Sequence, residues 1–200
     1  MNLKEITFFD IDDTLFEGEV KVLVKDSITH AVLDELTPAD YNNYKDNSKE
    51  YLDFSQFTCT DTFIRTSTPM TKTIKILQDF YEIAKNSDSE VYLLTARSDF
   101  DKKEQFLEFL IKHGIEAGHK DEQKVHVFRA GNLPGLDNAG KKYHIIKKIL
   151  EGSDFETVRL YDDSEANLEA FLELKLDYPD MNVEAYLVNG SEIKEFVSSF

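Results

Sequence analysis

Asp10-Ile11-Asp12-Asp13-Thr14-Leu15 places three carboxylates within four positions, directly after the apolar run Ile6-Thr7-Phe8-Phe9. Like charges this close repel one another, so a purely structural turn gains nothing from them and a cation is expected nearby. Asp10 and Asp12 stand two residues apart and can reach one pocket while Ile11 turns into the protein. A second acidic pair, Asp162-Asp163, follows another apolar run, Val158-Arg159-Leu160-Tyr161. Carboxylate and carbonyl oxygens suit a hard divalent ion such as Mg²⁺, whereas zinc takes His or Cys. Taken singly, each pair also fits a turn or a helix cap, the second capping a helix from Ser164. Taken together, at the ends of two strands, they favour a shared metal ion. His30, His113, His119, His126 and His144 show no ligand spacing, and Cys59 has no neighbouring base in the sequence, so none is assigned to chemistry.

Positioning these groups requires strands that end at one edge. Beside Ile6–Phe9, the runs 90–94, 125–128, 158–161 and 183–188 read as short buried strands. Between them lie helical patterns. Residues 69–85 carry Ile74, Leu77, Tyr81 and Ala84, with Thr68-Pro69 read as a cap and first-turn proline. Residues 103–113 carry Phe106, Leu107, Leu110 and Ile111 and stop at Gly114. Residues 141–150 carry Ile145, Ile146, Ile149 and Leu150, and residues 164–176 carry Leu168, Phe171, Leu172 and Leu176. Alternating strands and helices predict an α/β three-layer sandwich around a mostly parallel central sheet. Ligands in such folds bind outside the carboxyl ends of the strands, which selects Asp10, Asp12, Thr95, Arg97, Asp162 and Asp163.

Residues 16–66 break the alternation. Val20–Val24 and Thr29–Leu33 read as the two arms of a hairpin, Thr37 to Asp40 opens a short helix through Tyr41 and Tyr44, and a polar segment follows from Asp46 to Asp53. The stretch is expected to project over the sheet as an insertion within a single domain of residues 1–200. Its aromatic residues, Tyr41, Tyr44, Phe54, Phe57 and Phe63, are expected to pack it onto the sheet, with lining a substrate pocket as the other reading.

With 39 acidic against 23 basic side chains, the net charge is −16, which disfavours broad capture of nucleic acids or anionic membrane surfaces. A single local phosphate is still compatible with it. No apolar run approaches the ~20 residues needed to span a bilayer, and one cysteine forms no internal disulfide. A cytoplasmic protein is expected.

Asp10-Ile11-Asp12-Asp13-Thr14, then Leu93-Leu94-Thr95-Ala96-Arg97, then Lys142, then Asp162-Asp163 resemble in order the four motifs of the haloacid dehalogenase-like (HAD) phosphohydrolase superfamily. The likeness spans the chain from first strand to last and places a flap and small cap at 16–66. Ser67-Thr68-Pro69, Arg129-Ala130-Gly131-Asn132 and Tyr161-Asp162-Asp163-Ser164 are similar to uncharacterised tailed-bacteriophage members. The resemblance implies a Rossmann-like fold and a magnesium-dependent hydrolase of phosphate monoesters. Asp10 would be the nucleophile and Asp12 the general acid and base. Mg²⁺ would be held by Asp10, the Asp12 backbone carbonyl and Asp162, with Thr95 and Lys142 on the phosphoryl group. Asp163 would be a ligand through water or a partner of Lys142. Arg97 would hold phosphate or substrate, or form an ion pair at a helix start. Spacing leaves Lys141 and Lys142 both open; Lys142 is preferred because Ile145, Ile146 and Ile149 lie three, four and seven residues on. The substrate class is a phosphorylated small molecule, a nucleotide or a terminal nucleic-acid phosphate. The alternatives are a non-catalytic Mg²⁺-binding protein working through a partner, and a phosphotransferase or mutase.

Overall fold

Strand β1 (Glu5–Phe9) is apolar on both sides because both sides are covered. Ile6 and Phe8 join one buried cluster with Ile146, Leu160 and Phe171, whereas Phe9 joins another with Leu77, Leu93 and Phe106. The computed structural model describes residues 4–37, 40–41, 44–45, 47–118 and 125–198. Around β1 the central sheet adds β7 (Glu90–Thr95), β8 (His126–Arg129), β9 (Thr157–Asp162), β10 (Asn182–Asn189) and β11 (Glu192–Phe196), in the order β11-β10-β9-β1-β7-β8. The five strands expected from sequence run parallel, and β11 adds an antiparallel edge that the sequence reading omits. Its pattern, Glu192-Ile193-Lys194-Glu195-Phe196, is too polar to read as a buried strand, as an edge strand can be.

Helices α3 (Thr71–Ala84) and α4 (Lys103–Lys112) cover one face of the sheet; α5 (Asn138–Leu150), α6 (Glu165–Leu172) and α7 (Leu174–Asp177) cover the other. Two apolar positions expected on buried faces are exposed. Ile111 yields its place to Phe109, and Leu176 lies beyond the end of α6, on the short α7 whose Leu174 is the buried residue. Among the described residues no helix is long and apolar enough to cross a membrane.

Between β1 and α3 the chain builds two small antiparallel sheets. One pairs β2 (Phe16–Glu17) with β6 (Thr68–Pro69). Thr68-Pro69 is therefore a strand, correcting its reading as a helix cap. The proline sits where a short ribbon tolerates a missing N–H, and Met70 N–H donates to the Leu15 carbonyl at 2.8 Å. The other sheet has the order β4-β3-β5, from β3 (Val22–Asp26), β4 (Val32–Leu36) and β5 (Glu50–Asp53). The second hairpin arm begins three residues later than expected. Asp26 Oδ1 accepts from Ile28 N at 2.9 Å and Thr29 N at 2.7 Å, which draws Thr29 into the turn. His30 then takes a left-handed φ of 58°. Residues 50–53, read as the end of a polar segment, pair as β5. The short helix expected from Thr37 falls partly on residues 38–39 and 42–43, outside the described residues, as do Asp46 and His119.

Helices α1 (Ser55–Thr58) and α2 (Thr60–Thr66) return the chain to the central sheet. Phe63 is 1% exposed and packs among Phe16, Phe100, Phe106 and Phe109, so this ring belongs to the main core. Phe57 and Tyr44 pack against the small sheet's own cluster of Val22, Val24 and Leu36. Tyr41 and Phe54 are exposed and meet edge to face.

Candidate active site

Parallel pairing of β1 with β9 and β7 sets three chain segments side by side at one edge. Phe9 lies level with Tyr161 and Leu93, and Asp10 N–H extends the ladder to the Tyr161 carbonyl at 2.9 Å. Asp10, immediately after β1, thus stands beside Asp162, the last residue of β9, and near Thr95, the last of β7. After Asp10 the chain turns sharply. Leu15 and Phe16 N–H both donate to the Ile11 carbonyl, and Asp13 adopts a φ of 53°, a left-handed conformation that Asp tolerates better than most residues. Ile11 is fully buried, and Thr14 is buried with its hydroxyl unpaired among the described residues.

Lys142 comes from the first half of α5, whose Asp137 cap accepts from Gly140 N–H at 2.8 Å. Lys142, Ile146 and Leu150 recur at four-residue spacing on the buried face. The Lys142 ammonium, only 2% exposed as a residue, bonds Asp10 Oδ1 at 2.6 Å and Asp162 Oδ2 at 2.7 Å. Lys141 is half-buried and the structure records no such contact for it. Asp162 is anchored further: its Oδ1 accepts from Ser164 N at 3.0 Å and Asn167 Nδ2 at 2.8 Å. Ser164, rather than either aspartate, caps α6 through its own hydroxyl.

Carboxylate oxygens of Asp10, Asp162 and Asp163 lie within 4.8 Å of one another, with Asp163 the exposed member. The Asp12 carboxylate is outside this group. Burial pushes the Asp10 carboxyl well above its ordinary value; Lys142 opposes this, and Asp162, Asp163 and Asp12 add to it. Loss of water and the adjacent Asp162 raise Asp163 to about 7. Burial works against the Lys142 ammonium, yet Asp10 and Asp162 outweigh it and hold its pKa above the ordinary value. Burial is thus the leading cause for the two aspartates and their mutual repulsion adds to it, whereas the lysine is held charged by its two carboxylate partners.

Asp12 is held by a different partner, Arg97. Arg97 Nε approaches its Oδ2 at 2.8 Å and Oδ1 at 3.0 Å, and Nη2 reaches Oδ1 at 2.6 Å. Arg97 Nη1 donates to the Phe57 carbonyl at 2.8 Å. The sequence reading offers Arg97 an ion pair at a helix start; the pair is instead with Asp12, and α4 begins only at Lys103. Thr95 is fully buried, and its Oγ1 accepts from Arg97 N–H at 3.0 Å, leaving its own proton to donate elsewhere.

Sequence reasoning misses Gly131. A side chain there would meet Ala96 O, Arg97 C and Ser98 N at 2.5 Å, so only glycine lets the 3₁₀ turn Ala130–Asn132 seat the loop that carries Arg97. Gly131 N–H donates to the Arg97 carbonyl at 3.2 Å. Beside the carboxylates, Asp13, Glu17, Met70, Asp163 and Leu187 line a cavity of about 460 Å³. Another cavity, about 410 Å³, opens at the opposite edge near Lys4, Tyr92 and His126 and contains none of the site residues.

No protein-family model matches the chain, and no curated protein matches it. Among solved structures it is similar to the HAD domain of the effector protein Lem4 from Legionella pneumophila, solved as an inactive mutant. The identity is 13%, the TM-score 0.54, and the match covers 96% of this chain and 89% of that one. The fold is HAD-like.

Proposed function

We propose that this protein is a Mg²⁺-dependent phosphatase that cleaves a phosphate monoester through an aspartyl-phosphate on Asp10. The observation that carries this reading is the buried Lys142 ammonium bonded to both Asp10 and Asp162. It supplies a fixed positive charge where a phosphoryl group would meet an attacking carboxylate. Asp10 attacks phosphorus, forming the acyl-phosphate bond as the ester oxygen departs. Asp12 donates the proton that oxygen needs and later takes one from the water that releases phosphate. Thr95 donates its hydroxyl to a phosphoryl oxygen. Mg²⁺ fits the oxygen-only donor set of Asp10, Asp162 and Asp163. Asp10, Asp162 and the Asp12 backbone carbonyl would hold it, with Asp163 adjacent. When bound, it offsets repulsion between the Asp10 carboxylate and the substrate phosphate.

Within one domain, residues 16–66 serve as flap and small cap. The substrate is a phosphorylated small molecule, a nucleotide or a terminal nucleic-acid phosphate. The acidic surface favours the smaller of these. The test is hydrolysis of p-nitrophenyl phosphate with Mg²⁺. Asp10→Asn is expected to lower the rate by about 10³-fold or more, and EDTA to abolish it. Wild-type turnover that survives Asp10→Asn removes the nucleophile and the proposal with it.

A further inference from the structure

Arg97 is an unusual place for a cation. It is 4% exposed, and the rings of Phe57, Phe63 and Phe100 surround its guanidinium carbon at 5.2, 4.9 and 5.4 Å. Phe63 and Phe100 are themselves buried, so the guanidinium has little room to turn. Its partner has such room: the Asp12 side chain is 33% exposed and stands on a turn. The pairing is forked, which fixes a carboxylate's orientation as well as its position. Nη2 reaches Oδ1 at 2.6 Å, and the single Nε proton lies between Oδ2 at 2.8 Å and Oδ1 at 3.0 Å, so both oxygens are engaged.

We propose that Arg97 is a positioning residue for Asp12, orienting its carboxylate for proton transfer and, through the Phe57 carbonyl, tying that orientation to the 16–66 segment. The inference rests on the reading of Asp10 and Asp12 given above. A phosphate-binding role is less compatible with the geometry, because the fork is already spent on a carboxylate. Phe57 takes part twice, through its carbonyl, which accepts from Nη1, and through its ring, which lies 5.2 Å from the guanidinium carbon.

Leaving-group dependence tests this role. kcat/KM reports steps through transfer to Asp10, where an alkyl oxygen needs a proton and p-nitrophenolate does not. Arg97→Lys keeps the charge but loses the fork. It is expected to lower kcat/KM for an alkyl phosphate by about 10²-fold and for p-nitrophenyl phosphate by only about threefold. In an Asp12→Asn background, Arg97→Lys is expected to change neither value further. Equal losses on both esters, or a further loss on top of Asp12→Asn, overturn the positioning role. Asp10→Asn, assayed in parallel, separates the two failures. If it remains active, the reading of the site falls; if it is inactive and the two esters respond alike, the Arg97 inference alone falls.

Discussion

Lys142 balances charges that would otherwise be buried against one another. Replacing it with Met keeps most of the side chain's volume but leaves Asp10 and Asp162 without their ammonium, and a cost of about 3–5 kcal/mol is expected in urea unfolding. Mg²⁺ should then raise the melting temperature of Lys142→Met more than that of wild type, since a cation binding only the folded state stabilises it. Equal shifts in the two proteins would place Mg²⁺ binding away from Asp10 and Asp162. Asp10 and Asp162 were legible in the sequence because each stands at the end of an apolar strand; Lys142 came from the family likeness, and spacing left Lys141 open beside it because Ile145 and Ile146 follow the two lysines at the same distance. Asp12's partner was not legible. Arg97 lies 85 positions away, and only the register of β1 against β7 brings the two loops together. The hydrogen bond from Phe57 is made by its backbone carbonyl, which leaves no mark on residue type.

At the scale of elements, the parallel strands and their helices were readable from runs and spacings, whereas 16–66 was only partly so. Its register depends on how Asp26 folds the turn, and β5 gains its strand character from pairing with β3 rather than from apolar composition. That sheet carries a pH-sensitive clasp. Hydrogen bonds from Lys25 and Ser55 lower the Asp53 carboxyl to about 2, below its unfolded value of about 3.9. A depressed folded pKa gives stability that is present above the unfolded value and lost as pH falls through the folded one. Amide protection factors in β3 and β5, with intrinsic exchange rates divided out, should therefore fall between about pH 4 and pH 2, and Asp53→Asn should remove this acid dependence. In the 3₁₀ turn after β8, Gly131→Ala forces backbone apart at 2.5 Å contacts. A loss of about 1–3 kcal/mol is expected in denaturant melts, with reduced turnover because the displaced loop carries Arg97.

For the whole molecule, a net charge of −16 opposes the approach of any phosphate, while Lys142 acts only at close range. Raising salt from low to physiological levels screens the distant charges first. kcat/KM for an anionic ester should rise accordingly, and a steady fall would show that local basic groups dominate capture. The strand order also has a consequence for how the protein is made. The second strand to flank β1, β9, begins at Thr157, so β1 waits on a segment synthesised well after it. A nascent chain lacking β9 leaves Asp10 without Asp162 and β1 with an open side, a sticky template for other chains. Protection from such encounters during translation is thus a demand that this topology places on the cell.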